Sequence, residues 1–571
     1  MTGYGRLLEL NLRSLRAAGG QLGQETAKRV AASKASPRLR VEASRSGGTE
    51  EPTAILTGPN GELFLHSRYR PRSEAVKFAA GLEGCDYLVL FGFGLGYEAE
   101  AIIQTAPQMQ LRIIEPDPSL LYSAFLERDL SKLLGLAQVR IICEEQVDEA
   151  VGRLDYLPFF FPRFRSTHLR ARLTADDQYF RECAARLEVL VGAAGGDYRA
   201  CANYGLRWCI NTIRNLTLLE RSYSLTESVP TKRWNIVGAG PSADRTIGDL
   251  ARATDSFTLY CDTAVRTAAA AGTERLTAVT IDPQPISKLH YLGVMPEQVH
   301  LVSDIGAHHS LLQSFPYLYF ISSGHPLHRY LSSRGLPVGP TLVQGGSVSE
   351  TALRLAHHAG AEEIAVHGLD FAYLAERSYV VGSWLESYLR NKSDRLHSMS
   401  NQNYSFIRQR KAERRSTAPE ERSATGDRQN PPTYNSSLLD DYRAAFFSAA
   451  TELGYHYQPG ASWSSAGLLS TEHPGSKPFG TTTATTTTTT TMAHGVKDVL
   501  LRLRQELLEL HLPTTETSFT MSYRFLGDAG MTLVPAAIYF HERRGSDRCE
   551  AMRQSCELLQ DQISELIDAD T

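Results

Sequence analysis

Short apolar runs recur through this chain, and between them lie stretches whose apolar residues repeat at helical spacing. Near-continuous apolar runs of four to eight residues are typical of strands buried on both faces of a parallel sheet. The central part of the chain contains six short runs of this kind, at 235–237, 257–261, 276–281, 299–302, 317–321 and 363–367, of which the first is the shortest, with three residues. This pattern predicts an α/β domain with a parallel sheet.

Each of these six runs is followed by glycine or a small polar residue. The residues concerned are Gly238, Asp262, Asp282, Asp304, Ser323 and Asp370. A single aspartate in such a place is ordinarily a turn residue or a helix N-cap. Because the carboxyl ends of parallel strands share one edge of a sheet, however, we expect the whole set to converge on one ligand pocket.

Two glycine-containing turns add candidate anion sites. Gly238, Gly240, Pro241 and Ser242 lie in a Gly-Ala-Gly-Pro-Ser segment, and Gly346 and Ser347 lie in the segment 343–350. Both segments predict a turn that opens a helix, where backbone N–H groups can approach a phosphate. A Gly-x-Gly turn alone is a weak signal, since many α/β proteins contain one.

A similar strand and glycine loop occurs earlier in the chain. Residues 87–96 form a strand followed by Gly-x-Gly-x-Gly, and Glu115 ends the next strand, 23 residues after Gly92. This spacing fits a ribose-binding carboxylate in a second nucleotide pocket. The strands that follow, as far as Cys143, carry no matching polar ends, which favours a Rossmann-like scaffold without a ligand.

The predicted organisation is two Rossmann-like parallel-sheet units in tandem with a helical C-terminal tail. We expect an N-terminal helix and β-hairpin region at 1–80, a scaffold domain at 81–200 and a catalytic domain at 201–470. Within the last, residues 383–432 are predicted to be a basic lid, since the segment 386–428 contains ten basic and six acidic residues. A threonine-rich linker at 471–495 and helices at 496–571 complete the prediction.

Composition excludes several classes of protein. The chain has 571 residues, 42% of them hydrophobic, and a net charge of −4, which does not favour a nucleic-acid partner. The eight cysteines include no C-x-x-C pair and indicate neither a zinc site nor a disulfide framework. No apolar run is long enough to form an integral membrane segment, and charges interrupt any signal-peptide core, so we expect a cytoplasmic protein.

In their order, these motifs resemble the central domain of the motility-associated-factor (Maf) flagellin glycosyltransferases. The resemblance rests on the turn at 238–242, Asp262, Asp282, the helix start at 345–348 and the segment 368–373, and it extends to 63–67 and Asn215. It covers roughly residues 50 to 465. The central domain of that family is related to bacterial sialyltransferases and to archaeal hydroxymethylpterin diphosphokinases.

The resemblance implies transfer of a nonulosonic sugar, of the pseudaminic or legionaminic type, from its CMP donor to serine or threonine hydroxyls of flagellin. It implies no metal and no cofactor. Gly238, Gly240, Pro241, Ser242, Gly346 and Ser347 would hold the phosphate or the sugar carboxylate, and Asp262, Ser323 and Gly324 the nucleoside. Asp282 or Asp370 would be the general base, and Tyr373 would orient a substrate.

Two departures from the pattern weaken the assignment of the base and the phosphate contacts. The related sialyltransferases have a histidine base where this chain has Thr433, Tyr434 and Asn435, and a phosphate-binding tyrosine where it has Ser349. Three alternatives stay open. They are a magnesium-ATP diphosphokinase with Asp262 and Asp282 as metal ligands, a methyltransferase that uses 92–96 and Glu115, and a non-catalytic flagellin-binding protein.

Overall fold

The structure, a computed structural model, describes residues 3–46, 48–59, 61–225, 231–342, 346–374, 377–414, 433–458, 467–471, 489–515, 519 and 526–569. The chain divides into two compact units. Unit 1 comprises Met1–Asn203, Leu512–Phe525 and Ser546–Glu550. Unit 2 comprises Tyr204–His511, Leu526–Gly545 and Ala551–Thr571. The N-terminal region at 1–80 and the scaffold at 81–200 therefore belong to one unit, and the division at 203/204 lies close to the predicted domain start.

Unit 1 contains two sheets. The antiparallel one has the order β1-β2-β3 and is formed by β1 (Leu39–Ser44), β2 (Gly48–Gly58) and β3 (Gly61–Phe64). The parallel one has the order β6-β5-β4-β7, with β4 (Tyr87–Phe91), β5 (Gln110–Ile114), β6 (Val139–Ile142) and β7 (Phe164–His168). All residues of β4 and β5 are buried, as the unbroken apolar run of β4 predicts, although β5 also buries Gln110 and Arg112.

Nine helices described in this part of the chain surround the sheets of unit 1. They are α1 (Gly3–Ala18), α2 (Gly20–Ala32), α3 (Pro71–Ala80), α4 (Tyr97–Thr105), α5 (Pro118–Glu127), α6 (Ser131–Leu134), α7 (Val147–Gly152), α8 (Arg170–Ala175) and α9 (Asp177–Asn215). Leucines of α1 pack into the same apolar core as β4 and β5. The long α9 contains the boundary between the two units.

Unit 2 is built on an eight-stranded sheet of order β12-β11-β10-β9-β8-β13-β18-β17. The strands are β8 (Arg233–Val237), β9 (Phe257–Cys261), β10 (Leu276–Thr280), β11 (Val299–Asp304), β12 (Tyr317–Ile321), β13 (Glu363–His367), β17 (Tyr455–Gln458) and β18 (Gly467–Thr471). The six strands from β12 to β13 are parallel, and β18 pairs antiparallel with both β13 and β17. All six predicted central strands are confirmed, and so is the α/β class.

The helices of unit 2 lie between and after these strands. They are α10 (Ile247–Leu250), α11 (Val265–Ala270), α12 (His309–Leu312), α13 (Pro326–Ser333), α14 (Val348–His358), α15 (Trp384–Asn391), α16 (Met399–Gln409) and α17 (Ser437–Glu452). In the C-terminal region there follow α18 (Thr489–Leu508), α19 (Gly527–Met531), α20 (Val534–Arg544) and α21 (Arg548–Ala569). Side chains of α14 and α17 share one apolar core with Trp234, Ile236 and Ile364 of the sheet.

The predicted lid contains regular secondary structure in the part that the structure describes. Its first part contains α15 and α16, which begin at Ser383 and Ser398, whose hydroxyls accept the amide hydrogens of Glu386 and Asn401. A three-stranded antiparallel sheet of order β14-β16-β15 joins the two edges of the insertion, with β14 (Tyr373–Leu374), β15 (Glu413–Arg414) and β16 (Thr433–Asn435). N-caps and two internal apolar residues, Leu389 and Ile407, are enough for short helices despite the polar composition. The second part, 415–432, lies outside the described residues.

Most of the predicted threonine-rich linker, at 472–488, also lies outside the described residues. Its last residues belong to α18, which begins at Thr489. The predicted tail helices are present as α18 to α21. Among the helices that the structure describes, none combines the length and the apolar character required to cross a membrane.

Candidate functional site

The carboxyl ends of the six parallel strands in unit 2 bring the predicted site residues to one edge of the sheet. Asp262 and Asp282 follow β9 and β10, Asp304 ends β11, and Ser323 follows β12. Strands β8 to β12 pair in parallel as neighbours, so these side chains lie at adjacent strand ends. The edge is where an open α/β sheet binds its ligands.

Asp262 and Asp282 are neighbouring carboxylates in different environments. Asp262 is buried, and it accepts hydrogen bonds from the amide of Thr263 at 2.7 Å and the hydroxyl of Thr280 at 2.9 Å. Asp282 is half-buried and accepts the amide hydrogen of Gln284 at 2.8 Å. Burial raises the pKa of Asp282, the bond from Gln284 offsets part of the shift, and the charge of Asp262 adds to it. Asp282 is therefore the carboxylate of this pair that is prepared to take up a proton.

Asp370 is bound to the first glycine turn. Its carboxylate accepts the amide hydrogen of Ser242 at 2.9 Å and also the Ser242 hydroxyl hydrogen. Burial raises the pKa of Asp370, while these two bonds lower it. Asp370 thus joins the end of β13 to the turn after β8, which makes it a less accessible proton acceptor than Asp282.

The backbone donors of the first glycine turn have partners within the protein. The amide of Gly238 donates to the carbonyl of His367 and that of Gly240 to the carbonyl of Gly368, both at 2.8 Å. A Cβ atom on Gly238 would lie 2.6 Å from the Gly368 carbonyl oxygen, and one on Gly240 would lie 2.5 Å from an oxygen of Asp370. The glycines allow the 368–370 loop to approach closely, which corrects the expectation that these amides are available to a phosphate.

The helix expected directly after this turn is also absent. Pro241–Arg245 is a 3-10 turn, followed by the four-residue α10. Ser242 is engaged with Asp370 and so does not cap a helix. The second glycine segment agrees with the expectation, since Ser347 caps α14 by accepting the amide hydrogen of Glu350. The first amides of α14, from Val348 and Ser349, have no partner inside the helix and can bind an anion. Residues 343–345 of this segment lie outside the described residues.

Ser323 and Gly324 lie in a loop that a buried carboxylate holds in place. Asp304 accepts the amide hydrogens of Ser323 and Gly306, each at 2.7 Å. Complete burial raises the pKa of Asp304 to about 6, and these hydrogen bonds offset part of the shift. Gly324 has a φ of +75°, which favours glycine, and its amide donates to the Ser322 hydroxyl. This loop is therefore preorganised.

Tyr373 lies in β14, and its side chain is buried rather than exposed at the edge of the sheet. Its ring meets Phe406 of α16 at 85°, with 6.1 Å between the ring centroids. Burial raises the pKa of Tyr373, and the positive charge of Arg410 lowers it.

Several residues near the edge were not among the predicted site residues. Asn211 and Asn215 on α9 donate to carbonyls of the loops that follow β10 and β11, including those of Pro283 and Ile305. Burial raises the pKa of Tyr442 of α17, and the charges of Arg410 and Asp282 act on it with opposite signs, Arg410 lowering it and Asp282 raising it. The helical periodicity of α9 and α17 indicated buried faces but did not indicate which polar residues face this edge.

The glycine loop of unit 1 is filled by side chains of the protein. His66 accepts the amide hydrogen of Leu95 at 2.8 Å, and its ring occupies the space beside Gly94. Glu115 forms a fully buried ion pair with Arg172, in which two nitrogens lie 2.9 and 2.5 Å from the carboxylate oxygens. Glu115 is therefore not available to a ribose in this arrangement, which favours the scaffold interpretation over a second nucleotide pocket.

One group of metal-ligand type was found in the part of the chain that the structure describes: His66, Glu74 and Glu98 in unit 1. The amide of Leu95 donates to His66 Nε2, which places the proton of a neutral ring on Nδ1, and Nδ1 lies 3.2 Å from Glu98. Nδ1 is therefore a donor to Glu98 and has no lone pair for a metal. The three residues fit a hydrogen-bonded scaffold better than a metal centre.

A cavity of about 390 Å³ in unit 2 extends along β8 and β13 as far as His367, the last residue of β13. Its lining includes Arg233, Asn235 and Glu363 at the beginnings of β8 and β13, together with Ser256 and His367. None of the predicted site residues lines this cavity.

Comparison with known proteins gives three findings. Residues 210–376 match the family described as 6-hydroxymethylpterin diphosphokinase MptE-like. An uncharacterized protein from Treponema pallidum (strain Nichols) is 26% identical over 202 residues, which span 33% of this chain and 66% of that protein, slightly less than two thirds of its length. A solved structure of a MAf glycosyltransferase from Magnetospirillum magneticum AMB-1 is 14% identical, with a TM-score of 0.53, and the match covers 99% of this chain and 95% of that chain. The chain therefore has the fold of a Maf glycosyltransferase along almost its whole length, as the resemblance of its motifs predicted.

Proposed function

We propose that this protein is a cytoplasmic glycosyltransferase that moves a nonulosonic sugar, of the pseudaminic or legionaminic type, from a CMP donor to serine or threonine hydroxyls of flagellin. The observation that carries the proposal is that Asp262, Asp282 and Ser323 follow strands β9, β10 and β12 of one parallel array, and so stand at the same edge of the sheet. The match to a glycosyltransferase fold over almost the whole chain supports it.

The roles proposed for the residues follow from their environments. The free amides at the start of α14 are proposed to bind the phosphate, whose negative charge grows as the donor bond breaks. Asp262 and the preorganised loop of Ser323 and Gly324 are proposed to hold the nucleoside. Gly238, Gly240 and Pro241 are proposed to support the site without touching the donor, since Gly238 and Gly240 leave room for the 368–370 loop to pack against the turn.

Asp282 is the proposed general base. In the reaction, the acceptor oxygen forms a bond to the anomeric carbon, the bond from that carbon to the phosphate oxygen breaks, and CMP leaves with the electron pair. The hydroxyl proton passes to Asp282, whose pKa is raised by burial. Asp370 is proposed to position the turn through Ser242, and buried Tyr373 to support the wall of the site.

The MptE-like match favours one alternative, a magnesium-ATP-dependent diphosphokinase. In that case Asp262 and Asp282 would bind the metal. Asp262 already accepts three hydrogen bonds from Thr263 and Thr280. These bonds favour the role of a hydrogen-bond acceptor for Asp262 over that of a metal ligand.

The test is a transfer assay with purified protein, a CMP-linked nonulosonic acid and flagellin. We expect release of CMP together with a gain of one sugar mass on flagellin, in the presence of a chelator. Asp282→Asn should slow transfer by about 10²- to 10⁴-fold, whereas Asp249→Asn, at an exposed position on α10, should leave its rate unchanged. Release of AMP from magnesium-ATP with a pterin substrate, without sugar transfer, would establish the alternative. Flagellin binding without either reaction would indicate a non-catalytic partner.

A further inference from the structure

Arg410, at the end of α16, is a cation held beside aromatic side chains at the candidate site. Its guanidinium lies over the ring of Phe406, 5.1 Å from the centroid. The same ring contacts Tyr373 and Tyr379, with centroid distances of 6.1 and 6.0 Å. Phe406 therefore fixes the position of the guanidinium next to two phenols.

Arg410 and the proposed base Asp282 both act on the pKa of a third phenol, that of Tyr442. Arg410 lowers the pKa of Tyr373, Tyr379 and Tyr442, in each case against a larger rise that burial causes. Asp282 acts on Tyr442 with the opposite sign. The pKa of Tyr442 therefore responds to both charges.

Arg410 forms no ion pair within the described residues, unlike Arg377, which precedes the insertion, and Arg390 within it. Arg377 pairs with Asp244, and Arg390 pairs with Glu386. A guanidinium that lies over an aromatic ring keeps its N–H donors available, because they point outward in the plane of the guanidinium. Arg410 is exposed, so an incoming anion can reach it.

We propose that Arg410 binds an anionic oxygen of the donor, in the phosphate or in the sugar carboxylate, and so positions the donor against Asp282. The inference rests on the proposed function. Both anions present a planar pair or a fork of oxygens that matches a guanidinium, and an arginine keeps its charge at every physiological pH. On the phosphate, the cation would also stabilise the charge that the leaving group acquires.

The experiment is a binding titration with three probes, in the absence of metal. CMP carries the phosphate, N-acetylneuraminic acid carries the carboxylate, and cytidine carries neither. The proteins are wild type, Arg410→Ala, Arg410→Lys and the matched control Arg408→Ala. Arg408 is an exposed arginine on the same helix, 6.0 Å from the ring centroid of Tyr404.

We expect Arg410→Ala to bind CMP, the sugar acid or both at least about tenfold more weakly than wild type, because a charge-assisted hydrogen bond is lost. Cytidine binding should stay within about twofold of wild type, and Arg408→Ala should match wild type for every probe. Loss confined to CMP assigns the phosphate, and loss confined to the sugar acid assigns the carboxylate. Arg410→Lys should retain part of the effect, since it keeps the charge and loses the fork.

Two results would overturn the inference. Arg410→Ala that binds CMP and the sugar acid as tightly as wild type would exclude the contact. An equal weakening of all three probes, with a lower melting temperature of the ligand-free variant, would reduce Arg410 to a structural role. A separate titration of wild type and Arg410→Ala uses magnesium-ATP. If wild type binds magnesium-ATP and neither CMP nor the sugar acid, the proposed function fails, and equal binding of magnesium-ATP by the two proteins would reject the anion contact separately. A wild type that binds none of these probes overturns both.

Discussion

Replacing Glu115 by alanine should destabilise unit 1 strongly, although Glu115 stands where a nucleotide-binding fold places a ribose ligand. Its carboxylate and the Arg172 guanidinium are both fully buried. The same carboxylate accepts the amide hydrogens of Phe93 and Asp117 at 3.2 and 3.3 Å. The substitution removes all of these acceptors at once.

The magnitude follows from the burial of the charge that remains. Arg172 keeps one partner, Asp176, which is a quarter exposed. Removing one member of a buried pair typically costs about 3–5 kcal/mol, and the two amides left without an acceptor add to the upper end of this range. For a unit of this size, about 2–4 °C per kcal/mol gives a melting temperature lower by roughly 6–20 °C.

Calorimetry or thermal unfolding followed by circular dichroism measures this change. Glu62→Ala is the control, since Glu62 forms an exposed ion pair with Arg40 and should change the free energy of unfolding by no more than about 1 kcal/mol. S-adenosylmethionine should leave the melting temperature of wild type unchanged. Glu115→Ala with the melting temperature of wild type, together with stabilisation of wild type by S-adenosylmethionine, would refute the scaffold interpretation and support the methyltransferase alternative.

Three further substitutions test the site in unit 2. Gly240→Ala should lower the free energy of unfolding in urea by at least about 2 kcal/mol, because the new Cβ would lie 2.5 Å from Asp370. The control Gly248→Ala, where the new Cβ meets open space, should be neutral or stabilising. Equal effects of the two substitutions would contradict the close approach. Asp282→Asn should lower kcat for transfer by about 10²- to 10⁴-fold and leave CMP affinity unchanged, which single-turnover kinetics and a binding titration resolve; an unchanged kcat would exclude it as the base. Burial lowers the pKa of His328 to about 3, so below pH 6.5 the unfolded chain binds a proton at this residue and the folded chain does not. The free energy of unfolding therefore decreases as the pH is lowered, and this group should account for about 2 kcal/mol of the loss between pH 7.5 and 5. In urea unfolding, His328→Gln should lack this part of the pH dependence. An identical slope in the variant would contradict the assignment.

The sheet of unit 2 was predictable because its strands are short, largely apolar and buried on both faces. Residues such as Asp262 and Asp282 also mark where the strands end. Burial on both sides makes most positions of these strands apolar, although single polar residues such as Asn235 occur, so the sequence locates each strand to within a few positions. The same local logic identified the Ser347 cap of α14.

The partners of individual residues were not predictable, because they come from distant parts of the chain. Gly240 is required by the 368–370 loop, and Asp370 is tied to Ser242 across 128 positions. Arg410 lies near Tyr373 because Phe406 of α16 contacts both side chains. Nothing in a local spacing encodes such contacts, so the sequence indicated the edge of the sheet more reliably than the role of each side chain.

A crystal structure of the wild-type protein with CMP is the most direct test of the central claim that the donor binds at the carboxyl edge of the sheet in unit 2. The account predicts the phosphate at the first amides of α14, the nucleoside beside Asp262 and Ser323, and Asp282 facing the open side of the phosphate. CMP bound at 92–96 in unit 1, or in the cavity beside His367, would contradict it.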